Sequence, residues 1–334
     1  MAFHQTFFLR YCLRFTVFAL VFGYVIRGYS FSFLPEFVGG NLSIGEMMVT
    51  GKTGLFIVPI CLGYLLYDRF KSIEIVGVLF GSALLCSSFI IIKTTIPLMV
   101  PFWADPMLAG WDRALFGGVD GYAWSHQYAP YVSAGWAMMF YMPVWAVSML
   151  LFPAFVVLVE TDMARKQKYL AIYFYSWLVL GLVLATLMSS AGPIYYDRLL
   201  GAEVFAAMHE SLAGIGFERT AAHMLQEGLW KAYEADGGQQ LRGSDISAFP
   251  SMHVAMATLW GCYLAERSKW LAPVGFAYAA VILFLSVFTG WPYAVDGIFS
   301  AVAILAVCAA PAFLRLAKSA KQVLRGPKLE ESTV

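Results

Sequence analysis

Eight apolar stretches, each long enough to cross or nearly cross a bilayer, constrain this chain more than any other feature. A spanning helix needs about 20 mostly apolar residues. Such stretches fall at roughly 12–33, 53–68, 74–93, 131–158, 168–190, 250–266, 271–291 and 295–315. Composition agrees: 60% of the 334 residues are hydrophobic and only 13% are charged, too little charge to cover a water-facing surface of this size. The expected fold is all-α, a polytopic membrane bundle of about eight transmembrane helices. The segment 96–117 is apolar too, but Pro97, Pro101 and Pro106 interrupt it. It is expected to lie in the interface or re-enter.

Three divisions follow: N-terminal transmembrane helices over 1–94, a second membrane domain over 95–318 with an outer loop at 191–249, and a basic tail over 319–334. Arg10 and Arg14 precede the first apolar run, and no small-residue cleavage site follows, so that run reads as a retained helix. The five cysteines are odd in number and sit in apolar runs, which suits packing better than a disulfide framework or a metal site. A net charge of +1 offers no hint of nucleic acid as a partner.

Lysine and arginine in short loops mark the cytoplasmic side. Arg69 and Lys71 follow the second span, Arg165, Lys166 and Lys168 the fourth, and Arg267 and Lys269 the sixth. The tail carries Arg315, Lys318, Lys321, Arg325 and Lys328. With eight spans, all of these clusters share one side with both termini. The other side has scattered cations such as Lys93 and Arg113.

Three polar motifs then fall at the outer ends of helices. Ala191 to Arg198 leaves the fifth span, Ser247 to His253 enters the sixth, and Thr289 to Gly297 turns between the seventh and eighth. Taken singly, each has an ordinary explanation. Gly192-Pro193 is a common helix stop, Pro250-Ser251 a common helix start, and Asp296 a common first-turn acid. His253 is less ordinary, because ionisable groups at membrane depth are costly. Together they suit phosphoryl chemistry. Arg198 would pair with phosphate oxygens, and helix N-termini would favour the anion. Ser251 would donate a hydroxyl, and His253 would exchange a proton near neutral pH. Tyr195 and Tyr293 complete the candidate substrate-binding set. No carboxylate cluster suggests a metal, and no cofactor is expected.

Phe249-Pro250-Ser251-Met252-His253-Val254 resembles the second motif of the type 2 phosphatidic acid phosphatase superfamily. Tyr293-Ala294-Val295-Asp296-Gly297 resembles its third, and Gly192 to Arg198 the first-motif region of its membrane branch. Ala104-Asp105-Pro106 to Asp112–Gly117 resembles a segment common in bacterial members. The resemblance covers roughly 95–310 and lies closest to the inositol phosphorylceramide synthase (inositolphosphotransferase-like) group. It implies a phospholipid, polyprenyl phosphate or sphingolipid substrate. It also implies hydrolysis or phosphoryl-alcohol transfer, at the periplasmic face of a bacterial inner membrane. His253 takes the family's general-acid role and Asp296 the orienting role. The family's nucleophilic histidine stands four residues before that aspartate, and here position 292 is proline. Proline offers neither a nucleophile nor a proton. Three explanations stay open: a non-catalytic lipid-binding relative, another nucleophile such as water, or a variant of an active parent. A transporter is a weaker alternative. His209 and His223 are expected on the polar face of an amphipathic helix from Glu203 to Leu229, and His126 in the interface.

Overall fold

The computed structural model describes residues 7–27, 69–236 and 246–324. The stretch expected to span at 53–68, and the end of the first one, lie outside the described residues. Every regular element among those described is helical. The longer ones, in chain order, are α1 (Phe7–Arg27), α2 (Arg69–Lys93), α3 (Asp105–Leu115), α4 (Ala134–Val159), α5 (Met163–Leu187), α6 (Pro193–Leu200), α7 (Ala206–Gly214), α8 (Ala221–Asp236), α9 (Met252–Arg267), α10 (Ala272–Phe288) and α11 (Ala294–Leu324).

Four helices among the described residues are long and apolar enough to cross a membrane: Phe7–Ile26, Lys71–Met99, Ala134–Val159 and Met163–Leu187. α10 and Ala294–Ala310 of α11 are shorter apolar helices. The proline-broken segment forms a short helix, Ile96–Met99, followed by α3. Among the described residues, the segment expected as the outer loop, 191–249, carries the three helices α6, α7 and α8. The amphipathic helix expected from Glu203 to Leu229 is two, α7 and α8, because the chain turns at Gly214–Gly216 and Gly216 takes a left-handed φ of 74°.

Two apolar clusters divide the interior. One joins α1, α2, α4, α5 and α9 through side chains such as Phe8, Val78, Phe152, Tyr173 and Tyr263. The other gathers α3, α6, α7 and α8 around Leu108, Tyr141, Met208, Phe249 and Tyr293. α9 and α10 meet at Gly261 and Gly275, where a Cβ on Gly275 would stand 2.7 Å from the Gly261 Cα. Small residues let membrane helices approach this closely. Within α4 and α5 the helix widens for one turn, at Phe140–Val144 and Val179–Leu184. Pro143 accounts for the first, since it has no N–H to continue the ladder.

Charge collects at one end of this bundle. The buried Glu160 carboxylate accepts from Arg165 at 3.1 Å and lies 3.9 Å from Arg267. Lys166 pairs with Glu74 of α2 at 3.3 Å, and Lys168 with Glu266 of α9. The opposite ends of the same helices carry Lys93, Tyr141, Trp145, Ser189, Ser190 and His253. At 1.5 Å per residue, the length of α9 separates the two ends by about 20 Å.

Candidate functional site

The three polar motifs meet. Ser190 accepts from Ala248 N–H at 2.9 Å through its carbonyl and from Phe249 N–H at 3.0 Å through its hydroxyl. Ile194 N–H donates to the Gly290 carbonyl at 2.9 Å, and Ser251 N–H to the Asp296 carbonyl at 3.4 Å. Gly192 has φ 90°, and a Cβ there would collide with the Trp291 carbonyl. Only glycine lets the first segment of this junction lie against the last.

α3 fastens the junction from one side. Asp105, 1% exposed, accepts from Ala191 N–H and Gly192 N–H, both at 2.8 Å, and from the Tyr293 hydroxyl at 2.9 Å. Seven residues on, on the same helix face, Asp112 accepts from Val295 N–H at 3.1 Å and Gly121 N–H at 2.9 Å. Burial holds both carboxyl groups above the usual range, and their N–H and O–H donors offset only part of that rise. Sequence reasoning missed these roles. The available signal was a pair of aspartates one heptad apart on a short apolar helix.

Behind the junction lies a cavity of about 310 Å³, within the range of small-molecule sites. Lys93, Ser251, His253 and Pro292 line it, against apolar wall residues that include Phe89, Met149 and Trp177. The His253 ring is sandwiched on α4, 4.3 Å from the Tyr141 ring and 3.8 Å from the Trp145 ring, at 16° and 24°. The Trp145 indole N–H donates to the His253 carbonyl at 3.0 Å. Backbone and ring are therefore both held by one neighbour. Ser251 caps α9, its hydroxyl accepting from Val254 N–H at 3.4 Å, and a hydroxyl that accepts still has a hydrogen to donate. Tyr141, Trp145 and Lys93 carried no functional expectation beforehand, because they lie on other helices.

Asp296 is fully buried beside this cavity. Its Oδ2 accepts from Tyr293 N–H at 2.9 Å, and its Oδ1 has no hydrogen-bond partner among the described residues. Pro292, four residues earlier, faces the cavity.

The other expected contacts lie apart from the cavity lining. Arg198 pairs with Glu227 of α8 and stacks 5.7 Å over the Trp230 ring, and that pairing holds the Glu227 carboxyl below its usual range. Tyr195 donates to the Gln226 carbonyl at 3.0 Å, and Tyr293 to Asp105. His126 donates through Nε2 to the Phe288 carbonyl at 2.9 Å. His209 and His223 sit half-buried on α7 and α8. Among the described residues no three histidine, cysteine or acidic side chains are grouped to hold a metal ion.

Comparison with curated proteins found no match, and neither did comparison with solved structures. The family model described as the PAP2 superfamily matches residues 106–310. That stretch is more than half of the chain and includes the junction, His253, Pro292 and Asp296. With apolar helices around a cavity that His253 and Pro292 border, and with that match, the chain belongs to the PAP2 superfamily.

Proposed function

We propose that the cavity receives the phosphate end of a lipid and that the protein hydrolyses the phosphoric ester or transfers its phosphoryl-alcohol head group. The observation that carries this reading is the cavity itself, where an imidazole, an ammonium and a hydroxyl face one space with apolar walls. Lys93 supplies the cation for the phosphate, and the first turn of α9 adds N–H groups aimed at an anion. His253 exchanges the proton with the attacking or leaving oxygen. Water or an acceptor alcohol replaces a side-chain nucleophile, since Pro292 has none to offer. Asp296 steers from behind. Arg198 reaches phosphate only after parting from Glu227. The lipid is a phospholipid, a polyprenyl phosphate or a sphingolipid, as expected of the inositol phosphorylceramide synthase-like branch.

The same reading has about eight spans, both termini in the cytoplasm and the cavity facing the periplasm of a bacterial inner membrane. In its support, Arg165, Lys166, Lys168 and Arg267 gather at the end of the bundle away from the cavity.

A second reading, binding without turnover, is favoured by Pro292. One experiment separates the two. Release of phosphate or head group from phosphatidic acid and from a polyprenyl phosphate is measured for the purified chain and for Pro292→His. The Asp296 Oδ1, which has no partner among the described residues, suits the N–H of an imidazole at 292, so Pro292→His should raise turnover at least about tenfold and trap a phosphohistidine. Turnover by the unmodified chain supports the enzyme. Turnover only by Pro292→His supports the binding reading. If neither acts on any of these lipids, the enzyme reading fails.

A further inference from the structure

We propose that α8 is a cap over the cavity mouth, latched shut by Arg198 and Glu227. The proposal rests on the cavity being the working site, but on no chemistry within it. α8 contributes Leu225 and Leu229 to the cavity wall. Its main backbone packing is against the Phe217–Arg219 turn of its own loop, not against a spanning helix. Side chains therefore hold it in place.

Beside the apolar packing of Ala222, Leu229 and Tyr233, two residues of α6 converge on one turn of α8. Arg198 bonds Glu227 at 2.5 Å and covers Trp230. Tyr195 also stacks on Trp230, rings 5.7 Å apart and 15° from parallel, and its hydroxyl donates to the Gln226 carbonyl. α6 thus grips α8 through two residues, one charged and one aromatic. Both belong to the segment that leaves α5, so the grip is anchored in the bundle.

Two features weaken the closed position from within. Gln226 is 1% exposed, and neither atom of its carboxamide has a hydrogen-bond partner among the described residues. A buried polar group in that condition favours any movement that hydrates it. Gly228 lies mid-helix with open space where a Cβ would stand, and glycine there lowers helix stability with no packing in return. Met224 and Leu225 remain 65% and 42% exposed, an apolar edge suited to the membrane surface when the cap swings. A closed helix held by an exposed ion pair, with an unpaired amide beneath it, is poised to open.

The test uses Leu229→Cys in the full chain in detergent micelles. Its reaction with a charged maleimide is followed by peptide-resolved mass spectrometry. Removing the ion pair and the ring contact together with Arg198→Ala should speed labelling roughly five- to thirtyfold. Glu227→Gln should act in the same direction but less, and the double variant should add little to Arg198→Ala. Gly228→Ala should slow labelling about two- to fivefold. Labelling within twofold of the parent in Arg198→Ala overturns the latch. So does equal acceleration at Cys262 of α9, which would mean general loosening. A chain that turns over no lipid would still show the expected labelling, so the two readings fail separately.

Discussion

Replacing His253 by phenylalanine is expected to lower lipid turnover by roughly 10²- to 10⁴-fold, the usual worth of a placed acid or base. Phenylalanine is the informative choice because it preserves the sandwich. The ring at 253 is held between Tyr141 and Trp145, so alanine would open a hole and confuse a packing defect with lost chemistry. A phenyl ring fills the slot and carries no exchangeable proton. Substrate affinity should change far less than turnover, since Lys93 and Ser251 still face the cavity. Initial rates across substrate concentration separate the two effects. Turnover within threefold of the parent would remove His253 from the reaction. A large loss of affinity with unchanged maximal rate would make it a binding residue.

Asp105→Ala should produce the largest loss of stability. The substitution deletes one carboxylate and strands three donors: the Ala191 and Gly192 amides and the Tyr293 hydroxyl. A buried donor without a partner costs about 1–3 kcal/mol. Together the three should cost roughly 3–6 kcal/mol, at the upper end of what a single change does. Asp105→Asn keeps one oxygen and should fall between the two. Thermal denaturation in detergent, read by loss of the monodisperse peak, ranks them. An alanine variant within about 1 kcal/mol of the parent would show that α3 does not hold the junction, because it would mean water or a shifted side chain satisfies those donors.

Much of this architecture is legible from residue order, for local reasons. Apolar run length marks helices such as α4 and α5, and turn residues at their ends mark where polar groups collect. The junction matches the expectation from Gly192, Ser251 and Asp296, which all stand at helix ends. What escapes is every tie between distant helices. Asp105 meets Tyr293 across 188 positions, and no periodicity encodes that. Arg198 illustrates the opposite difficulty. Its chemistry fits a phosphate and fits a carboxylate equally well, and Glu227 sits 29 positions away on a helix whose packing only coordinates reveal. Lys93 reads as one stray cation until α2 is seen to end at the cavity.

The Gly261–Gly275 contact has a further consequence. Where two backbones touch, neither can slide without the other, so the pair behaves as a fixed rail. The residues mounted on it at the cavity end, His253 in the first turn of α9 and Pro292 just past the last turn of α10, should keep their spacing whatever occupies the space between them. Accommodation of occupants that differ in bulk then falls to the facing wall, where Met142 and Met149 offer side chains that bend readily. Relatives that handle bulkier or slimmer guests should accordingly differ on α4 and leave the two glycines alone.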